Sequence, residues 1–279
     1  MMYLGFEIEQ FEPLSGVDRN SVDAYADQAK RRIDKLAQYI IGTYDGRQLL
    51  DADALSDKIF PEKKYDVFLC HSHMDEKKAV NLAIALESRG LKVFVDSMVW
   101  GYFGQLVDTI SDAVRPSHNE TQRQLSQRIC ADVNMMLAGA LHRMISRSEA
   151  FIFVRSERSV PFTYGANAKT FSPWLFSELQ FSFQVQHAVP KRIREKIEGR
   201  VLDSVTGCNN LSLESMEYLM AFKAFNDHLP AIHGEKLQKW FAQLSTGAKG
   251  VAVLDSLYNY FGLSYEYYKH RDSLGGGSH

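Results

Sequence analysis

The chain has little that would staple or anchor it. Its cysteines, Cys70, Cys130 and Cys208, are an odd set with no C-x-x-C spacing, which argues against a disulfide framework or a four-thiolate zinc site and fits a reducing cytosol. No apolar run approaches the ~20 residues that span a bilayer. The opening MMYLGFEIEQFEP carries acids where a signal peptide has basic residues and a long apolar stretch, so the expectation is a soluble, unexported, cytoplasmic protein. Charge of one sign is also lacking. The 32 basic and 34 acidic residues leave a formal net charge of -2, which argues against nucleic acid as the main partner. Gly275 to His279 read as an appended flexible linker and are set apart from the fold.

What the chain does have is length and periodicity. Its 279 residues allow one large domain with extensions or two small ones. From Ser21 to about Thr43, apolar residues recur at helical spacing, which predicts an N-terminal helical extension over 1–61 with a boundary near Pro61. Between Lys64 and Asp96 the pattern becomes strand, helix, strand: Tyr65 to Cys70, Lys77 to Arg89 and Leu91 to Val95, with Gly90 placed to end the helix. Both strands are nearly all apolar, as parallel strands covered on both faces require. Asp96 to Gly104 reads as an aromatic-rich loop, followed by a short helix from Gln105 to about Val114. One long helix, inside an insertion over 115–147, then leads into the strand Ala150 to Val154. A loop from Arg155 to Phe171 ends at Ser172-Pro173-Trp174, where serine suits a helix cap and proline the first turn, so Glu178 lies early in a helix. Leu211 to Phe225 is ambiguous, and Glu235 to Leu244 and Val251 to Phe261 read as amphipathic helices. The expected domains are the extension, a main domain over 62–232 and a C-terminal helical segment over 233–274.

Three separated pieces resemble the bacterial branch of the TIR (Toll/interleukin-1 receptor) family, over roughly half the chain. Tyr65 to Asp75, YDVFLCHSHMD, is similar to the family's opening strand and Ser-His turn. Gly90 to Leu106, GLKVFVDSMVWGYFGQL, resembles its second strand and BB loop, and Ser172 to Glu178, SPWLFSE, its S-x-W-x-x-x-E motif. The resemblance implies a flavodoxin-like α/β fold, a parallel sheet with helices on both faces, in agreement with the alternating pattern. It also implies cleavage of the nicotinamide–ribose bond of NAD, with Glu178 catalytic and NAD the substrate rather than a cofactor. His71, Ser72, Asp96, Trp100, Phe103 and Trp174 are the expected substrate-binding residues, gathered outside the carboxyl ends of the strands. The family further implies self-association through the Asp96 to Gly104 loop, a role in antiphage defence or immune signalling, and an activating or downstream partner.

The chemistry suits a single carboxylate. Nicotinamide leaves a cationic ring as a neutral base, so departure needs no general acid, unlike an ordinary glycoside. A fixed anion can stabilise the oxocarbenium character that the ribose acquires. Without the motif, Glu178 would read as a solvated acid favoured by the positive end of a helix. Trp174 would read as core, Ser72 as a helix cap with Asp75 at the capping-box position, and Asp96 as a strand terminator. His71-Ser72-His73-Met74-Asp75 also resembles the H-x-H-x-D of metallo-β-lactamase-fold zinc hydrolases, but Glu76 stands where that motif continues with histidine. A non-enzymatic TIR scaffold is the other alternative.

Overall fold

A computed structural model of the chain describes residues 2–30, 40–44, 47–60, 64–116, 119–164, 167–185, 190 and 220–263. Two compact units result, one built from Met1–Val17, Lys64–Val95 and Ile145–His279, the other from Asp18–Lys63 and Asp96–Met144.

The first unit is α/β and is organised by a five-stranded sheet. Its strands are β1 (Leu4–Glu9), β4 (Val67–His71), β5 (Val93–Val95), β6 (Ala150–Arg155) and β10 (Ala231–His233), in the order β10-β1-β6-β4-β5. Every pairing is parallel. β4 is buried along its whole length, and β6 up to Arg155, which is why both read as near-continuous apolar runs. Aromatic side chains pack across neighbouring strands: Phe68 lies 5.3 Å from Phe94 and 5.7 Å from Phe151, centroid to centroid. The helix α3 (Glu76–Ser88) packs on β4 and β5, and α6 (Pro173–Gln184) packs on β4. Gly90, at a φ of 81°, ends the α3 turn as its position suggested. A flavodoxin-like sheet runs 2-1-3-4-5. Counting from β4, this chain fills the first three places in that way; β1, from the N-terminus, takes the fourth and β10 the fifth.

That placement corrects the expectation of a purely helical extension over 1–61, because Leu4–Glu9 lies inside the sheet between β6 and β10. Glu7 and Glu9 interrupt the apolar run that marks the other strands, so local pattern conceals the element. The C-terminal part is likewise integral: β10, α7 (Gly234–Gln243) and α8 (Val251–Phe261) belong to the same unit as the sheet, and Tyr258 packs edge-on against Tyr3. The stretch expected as a loop from Arg155 to Phe171 contains β7 (Phe162–Tyr164) and β8 (Asn167–Thr170), which form a small antiparallel sheet with β9 (Phe222–Lys223). Most of Leu211 to Phe225, and Gly275 to His279, lie outside the described residues.

The second unit holds α1 (Arg19–Lys30), the hairpin β2 (Ile40–Tyr44) and β3 (Arg47–Leu50), α2 (Ala52–Ile59), α4 (Ser97–Ala113) and most of α5 (Gln122–Arg147). The expected helix to Thr43 therefore gives way to a strand by Ile40. The helix expected within 115–147 forms as α5, Gln122–Arg147, and its Arg143 donates to Ser56 Oγ at 2.8 Å. The expected BB loop is instead helical: Asp96 accepts from the Ser97 N–H at 2.6 Å, and α4 runs unbroken through Gly101 and Gly104. A helical glycine costs about 1 kcal/mol, and here the buried Leu106, Val107 and Ile110 anchor the same helix. Among the described residues, no helix is long and apolar enough to cross a membrane.

One tight contact fixes the turn after β10. Gln10 follows β1 at a φ of 51°, and a Cβ on Gly234 would meet Gln10 O at 2.5 Å and Phe11 Cα at 2.7 Å. On helix propensity alone, Gly234→Ala would stabilise by about 1 kcal/mol. The close approach predicts the opposite sign, a loss of about 1–3 kcal/mol in chemical denaturation.

Candidate functional site

The strand order reverses at β4, with β5 on one side and β6 on the other. A crevice outside the carboxyl ends of such neighbouring strands is where ligands bind in open α/β sheets. The residues that follow β4 and β6 meet there. Ser72 Oγ and Ser156 Oγ both donate to Asp75 Oδ2 at 2.5 Å, so one buried carboxylate ties the loop after β4 to the loop after β6. Ser156 is fully engaged, since its Oγ also accepts from the N–H groups of Arg158 and Ser159 at 3.1 and 3.2 Å. The capping box that is the alternative reading of Ser72 and Asp75 does not form: Ser72 makes no side-chain cap bond, and its hydroxyl donates to Asp75.

Glu178 reaches this region from α6. Ser172 caps the helix, accepting from the Leu175 N–H at 3.3 Å, and Pro173 occupies the first turn, as their order in the chain predicts. Leu175, Glu178, Leu179 and Ser182 form the buried stripe, a 3–4 spacing that faces the sheet. Glu178 is therefore not a solvated helix-start acid; it is 1% exposed. One of its carboxylate oxygens lies within 4.8 Å of Cys70 Sγ, on β4. Trp174, one turn earlier, is half-buried on the flank of that stripe. Phe176 stacks on Phe222 at 5.1 Å and Phe183 on Phe225 at 6.3 Å, which fastens the opposite flank of α6 to the β9 segment.

The face that α6 covers also holds a second buried carboxylate. Cys70 pairs with Phe153 in register, and Phe153 with Glu7, and residues so paired in parallel strands project to one side of a sheet. Glu7 receives Arg155 Nη1 at 3.1 Å and Asn226 Nδ2 at 2.8 Å, while Arg155 also reaches Glu9 at 2.6 Å. Burial pushes the Glu7 carboxyl up from its ordinary 4.5 to about 7, outweighing Arg155 and Asn226, which pull it down; Glu9 adds a smaller upward push. Nearby, His228 Nε2 and Ser182 Oγ are 3.0 Å apart and buried. Local reading missed Glu7, because its partners lie 148 and 219 residues away.

Of the residues expected to bind substrate, His71 and Ser72 stand at the end of β4, in the unit that contains Glu178. Asp96 and Phe103 belong to the second unit, Asp96 buried as the cap of α4 and Phe103 half-buried within it. Trp100 falls in the same helix, its side chain outside the described residues. The rival H-x-H-x-D reading fits poorly. His71 is buried, whereas the side chain of His73 is 78% exposed beside Glu76, and Asp75 Oδ2 is occupied by two hydroxyls. No family model, curated protein or solved structure matches the chain.

The Glu7 shift has a definite sign. A carboxyl that holds its proton more tightly in the folded state contributes stability that is fully present below its unfolded value and is lost as pH rises through the folded one. For Glu7 the window is about pH 4.5 to 7, and the loss is of the order of 3 kcal/mol. Glu7→Gln, with Arg155 still paired to Glu9, should match wild type near pH 4.5 and exceed it in unfolding free energy at pH 8. A wild-type advantage at pH 8 would assign the ion pair the larger effect.

Proposed function

We propose that the chain is a TIR-type NAD glycohydrolase or cyclase, with Glu178 as the carboxylate that serves the breaking nicotinamide–ribose bond. The observation that supports this most is the burial of Glu178 beside β4, next to the crevice where the strand order reverses. A carboxylate held away from water gains most from a cation that develops against it, because charge interactions strengthen as the local dielectric falls. Nicotinamide carries off its own electron pair, so Glu178 need not donate a proton. It stabilises the ribosyl cation and accepts hydrogen bonds from ribose hydroxyls until water or an internal nucleophile captures the anomeric carbon. Trp174, half-buried one turn away, offers a flat surface for a ring or ribose.

The same resemblance carries the rest of the reading: a cytoplasmic protein of bacterial antiphage defence or immune signalling, active as a homo-oligomer under the control of a partner. Self-association through an Asp96 to Gly104 loop takes a different form here, since that segment is the first half of α4 and would present a helix rather than a loop.

The concentrated wild-type protein should release nicotinamide from NAD. Glu178→Gln, which keeps the shape and removes the charge, should lower kcat on the order of a hundred- to a thousandfold with little change in thermal unfolding. Undiminished turnover in the variant would remove Glu178 from this role, and no release by the wild type with or without an activating partner would favour the scaffold.

A further inference from the structure

Both carboxylate oxygens of Glu7 are engaged: Oε1 accepts from Arg155 Nη1 at 3.1 Å and Oε2 from Asn226 Nδ2 at 2.8 Å. A proton that joins this buried group must displace one of those donors. Beside Oε1 stands a guanidinium, which can only donate and is held as well by Glu9 at 2.6 Å. Beside Oε2 stands an amide, which donates at one end and accepts at the other. The accepting end is in reserve, since Asn226 is 5% exposed and its Oδ1 is buried with no hydrogen-bond partner among the described residues. Half a turn of the amide presents that oxygen to a Glu7 O–H, so the proton belongs on Oε2 and Asn226 is the group that answers it. Burial lifts the Glu7 carboxyl to about 7, which puts both protonation states within reach of neutral pH.

Asn226 lies in the segment that leads from β9 to β10, and that segment holds α6 through its neighbours. Phe225 packs on Phe176 and Phe183 at 5.9 and 6.3 Å, and His228 Nε2 stands 3.0 Å from Ser182 Oγ. The Asn226 carbonyl accepts from the Leu229 N–H at 2.9 Å, so the residue is built into the turn that carries His228. The charged groups acting on Glu7 are Arg155 of β6 and Glu9 of β1 itself. Of the titratable groups on the other neighbouring elements, Asp227 is exposed, His233 of β10 bonds Gln10, Glu178 of α6 lies beside Cys70, and His228 faces Ser182. We propose that Glu7 and Asn226 form a proton-sensitive latch: ionised Glu7 holds the amide by its N–H, neutral Glu7 turns it over to its oxygen, and the segment from Ala224 to Leu229 passes the change to α6. The latch needs no substrate and is independent of the NAD-cleaving reading.

Isotope-labelled full chain, followed by NMR from about pH 4 to 8.5, tests this. The carboxyl carbon of Glu7, the side-chain N–H pair of Asn226 and the backbone amide of Ser182 should shift together, with one midpoint near 7. Glu7→Gln imitates the neutral acid, since its amide can donate to Asn226 Oδ1 while its oxygen accepts from Arg155. It should hold the Asn226 and Ser182 signals near their low-pH positions throughout. Asn226→Ala should leave Glu7 titrating but remove most of the accompanying shift at Ser182. If Glu7→Gln does not fold, wild type and Asn226→Ala decide the matter. An Asn226 side chain that stays unmoved while Glu7 titrates overturns the proposal, as does a Ser182 shift of full size in Asn226→Ala. A Ser182 transition that survives Glu7→Gln belongs to the imidazole of His228 and overturns it as well.

Discussion

Removing a carboxylate from water costs several kcal/mol unless donors or a cation compensate it, and the first unit meets that constraint at Glu7, Asp75 and Glu178. All three are buried, Glu7 within β1, Asp75 just beyond the carboxyl end of β4 and Glu178 on the helix that covers β4. The compensation differs in each case. Glu7 has a guanidinium and an amide, yet burial still raises its proton affinity. Asp75 has two hydroxyls, which give it hydrogen bonds without neutralising its charge. Glu178 lies on the buried stripe of α6 near a thiol.

The sheet explains why these acids share one unit. Parallel strands align their carboxyl ends, so every loop that follows a strand opens on one edge. β1 enters the sheet from the N-terminus and occupies the place beside β6, which brings Glu7 and Glu9 into register with Phe153 and Arg155. An acidic strand in a parallel sheet is tolerable only with a cation beside it, and Arg155, the last residue of β6, supplies one. The same side of the sheet receives α6, whose stripe places Glu178 and Ser182 one turn apart.

Much of this was legible where the determining physics is local. The runs that became β4, β5 and β6 announce themselves by continuous apolar burial, α6 by Ser172 and Pro173, and α7 and α8 by helical spacing. Glu178 could be placed in a helix capped by Ser172, although it stands mid-helix rather than in the first turn and its burial could not be foreseen. What escaped is non-local. β1 looks too acidic for a central strand until Arg155 and Asn226 are brought to it. The Ser72 and Asp75 spacing suggests a capping box, and only the loop after β6, with Ser156, shows where the hydroxyl points. The glycine- and aromatic-rich stretch after Asp96 reads as a loop by composition, but Asp96 and the apolar residues from Leu106 onward hold it as a helix.

The central claim is that the Glu178 carboxylate faces the ribose whose bond to nicotinamide breaks. A crystal structure of the wild-type protein with a carba analogue of NAD, whose ring cannot ionise, tests it most directly. The account predicts the anomeric carbon and adjacent hydroxyls against Glu178. An analogue bound with its ribose remote from α6, or on another face of the sheet, would contradict it.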